Sequence, residues 1–290
     1  MTIPAPRHAS PSRDAARRGG SKPRRRRRRS LGSKLLGGIG ELLITLGVLG
    51  LLFVIWELWW TGIEAESDRQ DTLNDFYAQM PEAPASTDED DAAAPADFDT
   101  CYTLPDGTDI GCAPIMAELA AEGQVMGTLY APRLGDDWAA PVREGVTAEQ
   151  IDRGGVGRYP GTQMPDEPGN FSMAGHRNTH ASMLGRQDEL QVGDQIYLVS
   201  PDGMYTYQVS QRHVVAPHHT EVLAPVPDQP EAEPESGILT LTTCHPMYSN
   251  AERLIHHAEI TDFTPLGGEA AAELAHHELI REMFHAGGAQ

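Results

Sequence analysis

Lysine is nearly missing from this chain. It occurs at Lys22 and Lys34 and nowhere in the remaining 256 of its 290 residues. Beyond residue 34, ten arginines face 41 acidic residues, a net of −31 within a total of −20. A body so acidic repels phosphate, which excludes nucleic-acid binding as its function. Cysteine is scarce as well, with three in the whole chain. There is no HExxH or CxxC spacing, so the sequence supplies no zinc motif. No internal repeat and no glycine-rich phosphate loop occur either, and neither a metal nor a cofactor is expected.

What is present is sharply divided. Residues 1–34 carry twelve of the 22 basic residues and one acid, a net of +11, with six consecutive arginines from Arg24 to Arg29. This tail has no apolar face and cannot fold by itself. Residues 35–60 are a largely apolar run whose only charges are Glu41 and Glu57. A hydrocarbon core of about 30 Å takes roughly 20 helical residues. The run is long enough to cross one, with both glutamates near the interfaces and Trp56, Trp59 and Trp60 as an aromatic belt. Arginines before the run and acids after it place the N-terminus inside and the body outside. The rival is a cleaved signal peptide, but Trp60-Thr61-Gly62-Ile63-Glu64-Ala65 is a poor cleavage site.

Residues 64–80 predict a helix, on the membrane surface or against the body. Residues 81–99, mostly Ala, Pro, Asp and Glu, predict a spacer. Cys101 and Cys112 flank the turn sequence Leu104-Pro105-Asp106-Gly107 and are expected to form a local disulfide in an oxidising compartment. A short helix is expected over 113–123. From Gln124 the texture changes to short strands, expected at 125–131, 140–142, 170–174, 195–199, 204–213, 237–243 and 253–260. Gly154-Gly155-Val156-Gly157 and Pro160-Gly161 read as turns. The pattern predicts an antiparallel barrel or sandwich, with a peripheral helix over 269–285. The segments are thus a basic tail 1–34, an anchor 35–60, a helical and acidic spacer 61–122, a β-domain 123–268 and a helical tail 269–290.

Ile238-Leu239-Thr240-Leu241-Thr242-Thr243 reads as a strand that ends on Cys244, before His245-Pro246. A loop follows, and Arg253 opens a return strand. A thiol at a strand end beside a cation is where a reactive thiolate and an oxyanion contact can form. The alternative is a small buried cysteine that only closes a strand. His176 ends a second strand, after Ala174 and Gly175, where the glycine allows a sharp turn. His218-His219, His256-His257 and His276-His277 lack metal spacing, and adjacent histidines on a strand point to opposite faces.

Thr240-Leu241-Thr242-Thr243-Cys244 resembles the Thr-Leu-x-Thr-Cys signature of the sortases, cysteine transpeptidases of Gram-positive surfaces. Arg253 matches their companion arginine. Tyr159-Pro160-Gly161-Thr162 and Pro168-Gly169-Asn170-Phe171-Ser172-Met173-Ala174-Gly175-His176-Arg177 are similar to the segment leading to their catalytic histidine. Thr243-Cys244-His245-Pro246 and the leading apolar helix look most like class E sortases of high-GC bacteria. The resemblance, from about Gly123 to Leu266, implies a mainly β fold: an eight-stranded sortase barrel with short helices after one transmembrane helix. It implies cleavage of a C-terminal LPxTG-type sorting signal, with alanine at the second position in class E. Cys244 would be the nucleophile, His176 the proton carrier and Arg253 the oxyanion donor. Thr243, Thr242 and Ala174 would support them or the peptide. The implied partners are surface proteins bearing such signals, an amine acceptor of peptidoglycan or a pilin, and the membrane. Without an outer lysine the chain itself cannot be a lysine-linked acceptor. A papain-like hydrolase would place its cysteine before its histidine, and an L,D-transpeptidase would place the two closer together.

Overall fold

In a computed structural model the described residues are 31–80, 98–266 and the positions 274, 277 and 280. The basic tail to residue 30, the acidic stretch 81–97 and nearly all of the expected helix 269–285 lie outside them. The chain divides into two compact units, Met1–Phe53 and Val54–Gln290.

Helix α1 (Leu31–Ala78) begins in the first unit. Its segment Leu35–Trp56 has a mean hydropathy of 2.3, long and apolar enough by length and composition to cross a membrane. The later part of α1 lies in the second unit. The helix expected at 64–80 is therefore the continuation of α1, not a separate element. Leu73 and Phe76, three apart on one helical face, are buried. Arg69 donates to the Ala139 carbonyl at 2.8 Å, and the hydroxyls of Tyr77 and Tyr130 are bonded. Leu274 and Ile280 are buried in the same apolar cluster as Leu73.

The remaining elements are β1 (Thr100–Thr103), β2 (Asp109–Gly111), α2 (Pro114–Glu118), β3 (Val125–Tyr130), β4 (Ala139–Glu144), α3 (Ala148–Ile151), β5 (Val156–Arg158), β6 (Gly169–Ala174), β7 (Gln195–Ser200), β8 (Gly203–Val215), β9 (Gly237–His245) and β10 (Glu252–Pro265). Strands β3 to β10 close an eight-stranded barrel in the order β10-β8-β7-β3-β4-β5-β6-β9. Two contacts are parallel, β4 with β5 and β6 with β9. Leu239 and Leu241 of β9, Phe171 and Met173 of β6 and Ala258 of β10 fill the core. Alternation then turns Thr240, Thr242 and Cys244 to the outer face. His256 points inward, where Gln187 Nε2 donates to its Nδ1 at 3.0 Å and its Nε2 donates to the Leu190 carbonyl at 3.3 Å. Burial pushes both His256 and His257 down to about 4, so both rings are neutral at pH 7.

Two stretches differ from their sequence expectation. Residues 154–157, expected as a turn, run into strand β5, which begins at Val156. It has three residues, too few to show a period, and Gly157 within it suggests a turn. That glycine is required by close approach, since a Cβ there would lie 2.1 Å from the Gly145 carbonyl oxygen. Around the expected Cys101–Cys112 turn the chain forms the β1–β2 hairpin, closed by a disulfide with its Cα atoms 4.9 Å apart. Leu104, Ile110, Ala113 and Met116 belong to the barrel's own core. Asp202 holds α2 there by accepting the Ile115 and Met116 amides at 3.0 and 2.8 Å.

The short β5 is secured by a buried ion pair. Arg158 donates to both oxygens of Glu144, its register partner on β4, at 3.0 and 2.8 Å. It also donates to the Thr162 carbonyl and lies over the Phe171 ring. Removing one member strands a buried charge. Glu144→Ala is therefore expected to lower unfolding free energy by about 3–5 kcal/mol, with Glu144→Leu/Arg158→Met recovering most of it. Denaturant midpoints of the full chain in detergent check this. A single-variant loss near zero would show that the pair does not hold β5.

Candidate active site

The site is assembled by strand register. In the parallel β6–β9 pair, Asn170, Ser172 and Ala174 stand opposite Ile238, Thr240 and Thr242. Two residues further on each strand come His176 and Cys244. Because the strands run the same way, both emerge at the same rim of the barrel. In the antiparallel β9–β10 pair Cys244 stands directly opposite Arg253. Directly opposed residues share a face, so the thiol and the guanidinium project to the same side. Cys244 is half-buried and free, the other two cysteines being bonded to each other.

The backbone around these groups is tied down. The Gly175 amide continues the ladder to the Thr242 carbonyl at 3.2 Å. Thr243, buried on the inner face, donates its hydroxyl to the Gly175 carbonyl at 2.8 Å. That hydroxyl is engaged in joining the two strand ends, on the face opposite to Cys244. Thr242 on the outer face pairs with the Tyr159 hydroxyl at 3.0 Å. Gly175 is expected from the sequence as a turn. In the structure it serves packing, because a Cβ would lie 2.9 Å from Leu184 Cδ1 and 3.1 Å from Val156 Cγ1. The following segment folds back into the barrel mouth. Leu184 donates its amide to the His176 carbonyl at 3.0 Å, and buried Gln187 donates to the Leu241 carbonyl at 3.1 Å.

Two functional neighbours had no distinct signal in the sequence. Asp152, the residue that caps α3, holds His176 with its Oδ1 at 2.6 Å from Nε2. The other ring nitrogen of His176 is then the one open to chemistry. His180 lies 3.6 Å from the same carboxylate oxygen and 5.0 Å, ring to ring, from His176. His180, Ala181 and Ser182 are three successive residues at positive φ, a costly conformation beside the site. Arg177 is the second. It is 4% exposed, pairs with Asp188 at 3.1 Å, and reaches across to the Cys244 carbonyl at 3.3 Å and His245 Nδ1 at 2.7 Å. It thereby fixes the chain at the thiol residue and just after it. Arg177 lies within the quoted histidine motif, but nothing in the motif assigns it this contact. Arg253 donates Nη1 to the carbonyls of Asn250 and Glu252 at 3.1 and 2.9 Å, which leaves Nε and Nη2 for another acceptor.

Comparison with known proteins agrees with this architecture. The Sortase domain family profile matches residues 129–261. Sortase SrtE1 of Streptomyces coelicolor is 33% identical over 238 residues, covering 78% of this chain. The alignment spans 57% of that relative's length. Sortase SrtE2 of the same organism is 27% identical over 257 residues, covering 84% of this chain and 89% of that protein. The solved SrtF sortase from Corynebacterium diphtheriae superposes with a TM-score of 0.50 at 29% identity, over 53% of this chain and 93% of that one. With its closed eight-stranded barrel and these relatives, the chain belongs to the sortase family of cysteine transpeptidases.

Proposed function

We propose that this protein is a membrane-anchored transpeptidase that cleaves a C-terminal LAxTG- or LPxTG-type sorting signal between Thr and Gly and transfers the cleaved protein to an amine. The supporting observation is the register that brings His176, Cys244 and Arg253 to one rim. In this reading Cys244 Sγ, as thiolate, attacks the threonine carbonyl carbon. The carbonyl electron pair moves onto oxygen, and the Arg253 guanidinium stabilises the oxyanion from its free N–H groups. As the C–N bond breaks, protonated His176 gives its proton to the departing glycine amine. A thioester to Cys244 remains. Neutral His176 then takes a proton from the incoming amine as it attacks. The thiolate leaves and an amide forms. Asp152 acts as a positioning residue that holds the imidazole. Water competes with the amine, giving a peptidase side reaction.

The acceptor is a cell-wall cross-bridge or a pilin lysine, and the clients are surface proteins bearing the signal. Residues 1–34 form the cytoplasmic tail, 35–60 the anchor, and the barrel lies outside the cell. The outward location suits the Cys101–Cys112 disulfide.

Incubating the full chain in detergent with LAxTG and LPxTG peptides plus an amine should give an acyl–amine product by mass. No cleavage by protein of intact fold, with Cys244 inert to alkylation, would leave an anchored β-domain with a structural cysteine. Arg253→Lys keeps the charge and loses the fork, so turnover should fall by about 10²–10³ while the fold persists. Wild-type turnover in that variant would remove Arg253 from the mechanism. Asp152→Asn should lower kcat by about tenfold or more with KM little changed, and Asp152→Glu should restore part of it. A loss confined to KM would assign Asp152 to peptide binding instead.

A further inference from the structure

A second cluster of imidazoles lies on the outer face of the barrel, below the rim, with His213 opposite Ile255, two residues from Arg253. His257 on β10 and His213 on β8 are diagonal neighbours across the antiparallel ladder, with rings 5.1 Å apart. Above them passes the loop between β8 and β9, residues 216–236, which brings Asp228 to 3.6 Å from His213 Nε2. One donor atom from each of His213, Asp228 and His257 lies within 4.8 Å of the other two. His219, from the same loop, touches the other oxygen of Asp228 at 2.8 Å.

The hydrogen bonds around His257 fix which nitrogen is available. Asn170 Nδ2 donates to the carbonyls of Val222 and Ala224, both at 3.0 Å, so its Oδ1 must face Thr240. Thr240 donates its hydroxyl proton to that Oδ1 at 2.6 Å. Its contact with His257 Nδ1 at 2.8 Å therefore runs the other way, with Nδ1–H as donor. His257 is left with a lone pair on Nε2, in a residue 3% exposed, and that atom has no partner among the described residues. Both ring nitrogens of His213 are likewise buried without a hydrogen bond to any described residue. Orphaned acceptors of this kind are costly to bury. A histidine whose far nitrogen is tied by a fixed acceptor is the arrangement found behind metal ligands.

The geometry points to a transition-metal site of the zinc type, with His257 Nε2, His213 Nε2 and an Asp228 carboxylate oxygen as ligands. Two imidazoles and one carboxylate suit such an ion, whereas calcium and magnesium need oxygen ligands. In a tetrahedral site with bonds of about 2.0–2.1 Å the donors stand roughly 3.3 Å apart. The His213–Asp228 separation already approaches this value, and the cluster needs to contract by only a side-chain adjustment. The ion would answer two of the three orphaned nitrogens at once, His257 Nε2 and His213 Nε2. Because Asp228 belongs to the loop and both histidines to the barrel, binding would clamp the loop onto the outer face. Cys244 is not a ligand, so the inference stands independently of the transpeptidase reading.

Zinc titration of the chelator-treated full chain in detergent, followed by calorimetry, should show one site. Cobalt should bind in its place with the visible absorption of a tetrahedral ion. His213→Gln and Asp228→Asn should each weaken zinc at least about tenfold, and both lie where the fold does not depend on them for core packing. A readout of the clamp is available in the loop itself, whose Glu221, Glu231 and Glu235 are targets for a glutamate-specific protease. Zinc should slow cleavage at these three sites in the wild type and not in Asp228→Asn. The inference is overturned if the wild type takes up no stoichiometric zinc. Uptake that is unchanged in both variants would overturn it too, by placing the zinc on other histidines.

Discussion

The parallel pairing of β6 with β9 is the constraint on which the rest of the site depends. These strands lie far apart in sequence and are brought side by side only by closure of the barrel. Running in the same direction, they end at the same rim, and His176 and Cys244 each lie two positions past the last regular pair. A slip of one residue would turn every side chain of β9 to the opposite face. Register is held from both sides. Phe171, Met173, Leu239 and Leu241 fill the core, while Asn170 and Thr240 are bonded on the outer face. The antiparallel return of β10 then sets Arg253 against Cys244 by ordinary cross-strand geometry.

Beyond register, the rim is stiffened by polar contacts that each do a local job. Thr243 joins the turn before His176 to the strand of Cys244, and Arg177 spans from the same turn to the far side of the thiol. Single hydrogen bonds of this sort contribute about 1 kcal/mol each, and those to a charged group somewhat more. Their combined effect is on precision more than on stability. A thiolate and a proton carrier must meet a substrate carbonyl within a few tenths of an ångström, and buried ties to backbone carbonyls resist drift better than exposed ion pairs.

The strands with a clear apolar alternation were legible in the sequence, and so was the strand end that carries Cys244. Ile238 to Cys244 announces itself by β-branched residues, and the histidine segment by its motif. Strand β5 was not legible, because three residues with a glycine at the centre carry no period. Its strand character comes from Glu144 and Arg158, whose pairing exists only once β4 lies alongside. The hairpin before the barrel read as a linker turn, since Leu104 and Ile110 look isolated until the core receives them. Asp152 illustrates the general limit. One acid among many in an acidic chain has no local mark, and its role follows from where α3 ends relative to β6. His213 and His257 are the same case, being separated by 44 positions and joined by one ladder.

The central claim is that the rim groups act together on one carbonyl, with Cys244 as the atom that bonds to it. The most direct measurement is the intact mass of the full chain after brief mixing with an LAxTG peptide without amine and quenching in acid. The predicted result is a mass increase equal to the peptide up to and including threonine, mapped to Cys244 and absent in His176→Ala. Cleavage of the peptide with no adduct on Cys244, or an adduct on another residue, would contradict it.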